Sequence, residues 1–293
     1  MKNIVCFGEV LWDVFPTHKK IGGAPLNVAL RLQSFGNKVS IITRIGKDTK
    51  GTEIADFIKE HGVNTENVQV DDALETGAVD VVLDETGSAS YTINLHRAWD
   101  NIQLTETAIE KAKQADAFIF GSLAARDTTS RSTLYNLLKV AKYKILDINL
   151  RAPHYTKPVL NYLMEAADFI KFNDDEIFEI SKSLGFESES LEDNILFIAK
   201  QTNTKSICVT IGSRGAIYYH DNTFYHNEGY KVKVVDTVGA GDSFLGSFIN
   251  KLLKGTPPQD AIDYACAVGA LVASHEGANP KIKESDILAF IAS

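Results

Sequence analysis

Cysteine is scarce in this chain of 293 residues: Cys6, Cys208 and Cys266 are the three present, and they stand far apart. No spacing among them suits a zinc site, and an odd number fits no disulfide framework. They sit in apolar runs such as Ile4-Val5-Cys6-Phe7, so the expectation is buried thiols in a reducing, cytoplasmic setting. Long hydrophobic runs are missing too. None reaches the roughly 18–20 residues that span a bilayer, and residues 1–8 read as a short strand rather than a secretory leader. Positive charge is in deficit, with 30 Lys and Arg against 38 Asp and Glu and a formal net charge of −8. Such a field attracts neither nucleic acid nor an anionic membrane. It leaves room for a nucleotide, whose phosphates are neutralised locally. Several motifs are also absent. Without G-x-x-x-x-G-K-[ST] there is no P-loop, and without G-x-G-x-x-G after the first strand a nicotinamide-dependent dehydrogenase is disfavoured. There is no H-E-x-x-H and no G-x-S-x-G, and the seven histidines form no metal-ligand grouping.

What is present is an alternation. Residues 4–8, 39–45, 117–121, 144–149, 169–172 and 206–211 read as buried strands. Helical patterns occupy 25–35, 52–61, 105–113, 128–143, 174–184, 191–201, 242–253 and 257–274. With 44% hydrophobic and 23% charged residues, this predicts an α/β protein with a mainly parallel sheet covered on both faces. Ligands of such sheets bind outside the carboxyl ends of the strands. Two stretches break the pattern. Residues 9–15 carry a second strand directly after the first, and 78–84 with 90–95 look like a hairpin around Glu85-Thr86-Gly87-Ser88. The expected organisation is one domain over residues 1–293 with a small discontinuous β layer, drawn from segments of about 9–20 and 75–100.

The most informative stretch is Asp236-Thr237-Val238-Gly239-Ala240-Gly241-Asp242-Ser243. Its glycines leave backbone N–H groups uncovered at the start of a helix, where unpaired donors and the helix dipole attract a phosphate. An ionised Asp242 beside a bound phosphate needs other work, and taking a proton from an attacking alcohol is such work. Gly22-Gly23-Ala24-Pro25-Leu26-Asn27 opens another helix. There the glycines admit a ligand close to the backbone and Asn27 either bonds a polyol or serves as a local cap. Asp13 shares a strand face with Leu11 and Phe15; a carboxylate there serves a ligand or marks an edge strand. Thr210-Ile211-Gly212-Ser213-Arg214-Gly215 follows a strand and turns either around nucleotide phosphates or into a simple hairpin with 216–220. Asn173-Asp174-Asp175-Glu176 either caps a helix or holds a hydrated magnesium ion through Asn173 and Glu176.

These pieces, in this order, resemble the ribokinase or PfkB family of small-molecule kinases. The match spans nearly the whole chain and includes Gly46-Lys47-Asp48…Gly51. Gly22 through Ala29, Gly121-Ser122-Leu123 and Asp147-Ile148-Asn149-Leu150-Arg151 are similar to the fructokinase version. The resemblance implies a Rossmann-like α/β/α sandwich, ribokinase-like, with a β lid that closes over the sugar and often helps form a homodimer. It implies ATP as phosphoryl donor to a sugar hydroxyl, fructose first, with magnesium on the ATP phosphates. By motif, Asp242 is the catalytic base, and the N–H groups from Gly239 through Ala240 and Gly241 to Asp242 are the anion hole. Asp13, Gly23 and Asn27 match positions that hold sugar hydroxyls. Thr210, Gly212 and Gly215 match the nucleotide loop, and Asn173 with Glu176 the magnesium–phosphate motif. Asp236 and Val238 match places that bind a monovalent cation such as K⁺ through backbone oxygens, although several members carry threonine where Val238 stands. Arg126 and Arg151 each follow a strand and either approach the sugar or phosphoryl group or lie solvated. Trp99 either packs beside the sugar at the lid base or makes a core or dimer contact. Ribose, 2-keto-3-deoxygluconate and adenosine are the alternative acceptors, and a sugar sensor without catalysis is the alternative class.

Overall fold

The computed structural model describes residues 1–83 and 89–292; the expected turn Glu85-Thr86-Gly87-Ser88 lies outside them. The chain forms two compact units. The first comprises Met1, Asn3–Phe118 and Leu123–Lys142, and the second comprises Lys2, Ile119–Ser122 and the residues from Tyr143 onward.

In the first unit, β1 (Asn3–Phe7), β2 (Leu11–Val14) and β3 (Lys19–Gly22) lead into helix α1 (Ala24–Ser34), followed by β4 (Lys38–Gly46) and α2 (Thr49–Glu60). Then come β5 (Val68–Asp71), β6 (Gly77–Leu83), β7 (Ala89–Ile93), a 3-10 turn at Ala98–Asn101 and α3 (Glu106–Gln114). β8 (Ala117–Gly121) has residues in both units, and α4 (Thr128–Leu138) completes the first. The buried run Ile4-Val5-Cys6-Phe7 makes β1, which pairs in parallel with β4, and β4 pairs in parallel with β5. A four-stranded sheet of order β3-β2-β6-β7 stands apart from this one. β2 runs antiparallel to β3 and parallel to β6, and β6 and β7 form the expected antiparallel pair. Leu11 and Val79 anchor its apolar face, with Phe15 and Ile93 packed against them.

Helix α2 begins three residues before the periodicity suggests because Asp48 caps it, accepting from the Gly51 amide at 2.7 Å. The same carboxylate accepts from the Thr76 amide at 2.9 Å and the Thr76 hydroxyl at 2.7 Å. A side chain at Gly51 would collide with that hydroxyl and with the Gly46 carbonyl. The Gly46…Gly51 motif thus builds a tight corner around Thr76. Helix α4 stops at Leu138 rather than 143, since the Leu137 carbonyl takes both the Val140 and Ala141 amides in a closing turn.

The second unit continues with β9 (Lys144–Asp147), α5 (Lys157–Ala166), β10 (Phe169–Asn173), α6 (Asp174–Ser183), α7 (Leu191–Thr202) and β11 (Ser206–Thr210). It ends with β12 (Ala216–His220), β13 (Thr223–Asn227), α8 (Ala240–Leu253), α9 (Pro258–Ala273) and α10 (Glu284–Ile291). β9, β10 and β11 are parallel neighbours, and β12 and β13 add an antiparallel margin. β9 ends before 149 because Asn149 adopts a left-handed φ of 40°, which breaks strand geometry. Phe169 and Tyr218 pack on Phe248 of α8, the Tyr218 ring edge-on at 4.8 Å between centroids. Such aromatic contacts hold the middle of α8 against the sheet.

Candidate active site

Helix α8 carries the Gly-rich segment at its amino end. Gly239 is the N-cap, with a left-handed φ of 75° that an L side chain rarely adopts. A Cβ there would also meet Ala278, 2.5 Å from its Cα and 2.8 Å from its carbonyl oxygen. Residues 243–250 are buried, Gly241 is exposed and Asp242 is half-buried in the first turn. The Ala240 amide closes on the Thr237 carbonyl at 3.2 Å and the Ser243 amide on the Gly239 carbonyl at 2.8 Å. Helix geometry then directs the Gly241 N–H beyond the helix end. The preceding loop is held by Asp236, whose two oxygens accept from the Val238 amide at 3.0 Å and the Gly277 amide at 3.1 Å. Val238 itself is exposed.

At the carboxyl ends of β9 and β10, Asn173 and Glu176 form a reciprocal capping box on α6. The Glu176 amide donates to Asn173 Oδ1 and the Asn173 amide to Glu176 Oε2, both at 2.8 Å. Glu176 Oε1 accepts from the Leu150 amide at 2.8 Å. The helix-cap alternative is therefore present in full. Burial pushes the Glu176 carboxyl up, and Lys171 and the two amide bonds counter without cancelling it.

Sequence reasoning gave no role to the pair next to it. Lys171 of β10 donates from Nζ to Asp147 Oδ1 of β9 at 2.8 Å, with both side chains at least nine-tenths buried. Burial works to lower the Lys171 pKa, but the charges of Asp147, Glu176 and Asp242 outweigh it and hold the ammonium firmly protonated. The signal was there: a lysine inside Phe169-Ile170-Lys171-Phe172 has to be paired to be buried.

The Thr210–Gly215 turn joins β11 to β12 as a hairpin, with the Ile211 amide on the Gly215 carbonyl at 2.8 Å. Gly215, at φ 84°, lies where a Cβ would strike the Asn227 carbonyl; the hairpin accounts for that glycine. Thr210 Oγ1 donates to the Phe172 carbonyl at 3.3 Å. Arg151 is exposed and donates to the Leu150 carbonyl at 3.0 Å.

In the first unit, Asp13 lies across β2 from β3. A Cβ at Gly22 would be 2.5 Å from Asp13 Oδ2 and 3.7 Å from Leu11 Cδ1, so Asp13 does lie on the Leu11 face. Gly23 caps α1 at φ 111°, and a Cβ there would meet the Glu9 carbonyl at 2.5 Å. Asn27 is buried in the first turns of α1. Trp99 is a core residue, 1% exposed. Its ring lies against Gly77 on one side and 4.0 Å from the Arg126 guanidinium on another. Arg126 is buried, donates from Nε and Nη2 to the two Asp100 oxygens at 2.7 Å, and bonds the Asn94 carbonyl at 2.6 Å. Those bonds commit it to the base of the four-stranded sheet.

All three cysteines are free and buried, and burial pushes the Cys266 thiol up to about 12. Among the described residues no helix is long and apolar enough to cross a membrane, and no group of three or more His, Cys, Asp or Glu is placed to hold a metal ion.

A carboxylate at the amino end of a helix, beside an uncovered amide and a buried ammonium, suits proton removal from an alcohol next to a bound phosphate. Known proteins agree with that chemistry. Fructokinase-2 of Solanum lycopersicum is 27% identical over 95% of this chain and 92% of its own length. Probable fructokinase-7 of Arabidopsis thaliana is 30% identical over 97% and 90%. The ATP-bound structure of fructokinase from Xylella fastidiosa superposes with a TM-score of 0.86 at 22% identity, covering 100% of this chain and 99% of that one. That likeness confirms the ribokinase-like α/β fold. The sequence profile of pfkB family carbohydrate kinases matches residues 1–285, and the chain accordingly belongs to that family as an ATP-dependent carbohydrate kinase.

Proposed function

We propose that this kinase transfers the γ-phosphoryl group of ATP to a hydroxyl of fructose. The observation that carries the reading is Asp242 in the first turn of α8, behind a Gly239 that admits no side chain. In this reading Asp242 removes the acceptor's proton as attack develops, and the amides of Gly239, Ala240, Gly241 and Asp242 gather the phosphoryl oxygens. Asp13, Gly23 and Asn27 hold the sugar hydroxyls. Gly22 supports this, because a side chain there would collide with the Asp13 carboxylate. Thr210, Gly212 and Gly215 cradle the nucleotide. Asn173 and Glu176 serve magnesium through water, consistent with a carboxylate whose direct bonds go to amides. Magnesium, when bound, neutralises charge on the ATP phosphates. A monovalent cation would take backbone oxygens of the 236–238 loop, whose shape Asp236 maintains.

Fructose is favoured because relatives covering nearly the whole chain carry that name. A double mutant of the fructokinase of Vibrio cholerae O395, 24% identical, has been solved with fructose, ADP and potassium ion. The four-stranded sheet acts as the lid, closing over the sugar to exclude water as a competing acceptor and offering the surface for a homodimer. Buried free thiols suit a cytoplasmic protein.

ADP release across fructose, ribose, 2-keto-3-deoxygluconate and adenosine is the test. The expected result is sugar-dependent release with the highest kcat/KM for fructose. A higher value for another acceptor overturns fructose, and binding without release overturns catalysis in favour of a sensor. A monomer by light scattering at working concentration overturns the dimer.

A further inference from the structure

Lys171 is an unusual place to keep a charge. It lies inside a buried strand, and its Nζ is 3.8 Å from where a Cβ at Gly241 would stand. The ammonium therefore sits directly beneath the first turn of α8, with no side chain between. The amino end of a helix is positive and disfavours a nearby cation, and burial of an ammonium costs several kcal/mol on its own. Both penalties are offset by carboxylates drawn from separate elements: Asp147 in direct contact, with Glu176 and Asp242 near enough for their charges to act on it. Asp147 alone would satisfy a structural pair. The lysine instead lies where the carboxylate of α8 and an incoming phosphate would crowd negative charge together.

We propose that Lys171 is a positioning residue for phosphoryl transfer, a fixed buried cation that orients the Asp242 carboxylate and selects for the terminal phosphate of ATP. The inference rests on the kinase reading for its chemistry, but part of its test does not need turnover. A mobile surface lysine would have to be ordered for each reaction cycle. One anchored by Asp147 is oriented beforehand, as electrostatic stabilisation of a developing charge requires.

Removing Lys171 alone strands the Asp147 carboxylate and endangers folding, so the decisive protein is the double variant Lys171→Met with Asp147→Asn. This removes both charges at similar volume. Calorimetric affinities for ATP and ADP are measured with and without magnesium, alongside melting temperature and sugar-dependent turnover. The expected result is a folded protein that binds ADP as before, whose preference for ATP over ADP falls by about tenfold or more. Its kcat falls by roughly 10²-fold, the usual worth of one preorganised charge, while the sugar KM changes less than about threefold. An unchanged preference for ATP over ADP in the folded double variant overturns the proposal, whatever its turnover. If the double variant does not fold, the wild-type ¹⁵N resonance of the Lys171 ammonium decides, assigned with Lys171→Arg. It should move more with ATP than with ADP, and equal or absent movement overturns the proposal. Wild-type protein that prefers ATP yet phosphorylates no sugar would defeat the kinase reading and leave Lys171 to be judged on the nucleotide ratio.

Discussion

The two units each bury an ion pair, and the two pairs do opposite things with their charge. In the first, Arg126 and Asp100 are 6% and 4% exposed; in the second, Lys171 and Asp147 are 8% and 7%. Arg126 forks onto both Asp100 oxygens, bonds the Asn94 carbonyl and lies over the Trp99 ring. Its Nε and Nη2 are held in a clamp at the foot of the small sheet, while Nη1 is buried without a hydrogen-bond partner. Lys171 makes one short bond and leaves its point charge to be felt by Glu176 and Asp242. Equal burial therefore does not mean equal purpose. A guanidinium forked onto one carboxylate holds structure together, and an ammonium shared among carboxylates shapes a field.

The comparison can be broken or sharpened by substitution. The largest effect is expected at the group the field serves: Asp242→Asn should cut turnover by roughly 10²–10⁴-fold, the worth of a general base, with sugar affinity nearly intact by calorimetry. Near-normal turnover would remove Asp242 from the base role. Arg126→Ala should cost about 3–5 kcal/mol of stability by leaving Asp100 buried without its partner, read as a lowered denaturant midpoint. Arg126→Lys should recover only part, because an ammonium cannot fork. Were Arg126→Lys as stable as wild type but inactive, Arg126 would belong to the chemistry and the contrast would fall. Gly239→Ala should destabilise by about 1–3 kcal/mol from the left-handed backbone and from contact with Ala278, lowering turnover as the anion hole shifts.

The smallest effect belongs to Asp71, which meets Arg44 at 2.8 Å and accepts from the Ala73 and Leu74 amides and from Asn101. Burial works to raise its pKa, but these partners outweigh it and hold the carboxyl at about 2. A depressed folded value means its stabilisation is complete above the unfolded pKa near 4 and is lost as pH falls through 2. Asp71→Asn should flatten the acid side of the stability profile between about pH 4 and 2. An unchanged slope would show that the carboxylate is not held as described.

Much of the core was legible because local signals there agree with the fold. The run 117–121 appears as a strand with those limits, and the strands begun at Lys144, Phe169 and Ser206 start where the apolar runs do. α5, with Pro158 in its first turn, and α10, largely exposed along its length, gave weaker signals and were missed. So was β5, whose Val70 is 52% exposed. Burial and pairing, rather than an apolar run, decide such an element. Among site residues, Asp13 on the Leu11 face follows from strand alternation, whereas the fate of Trp99 does not. Its spacing left sugar contact and core packing equally open, and the guanidinium over its ring comes from a segment 27 residues further along.

The order of glycines, acids and apolar runs was enough to determine the α/β class, the kinase family and the place of Asp242 at a helix start, because each depends on neighbours along the chain. Tertiary structure alone decided that Lys171 lies beneath Gly241 and that Arg126 closes on Asp100. Both are charge pairings across long sequence separations, and whether a buried charge is tolerated depends on which groups the fold brings around it.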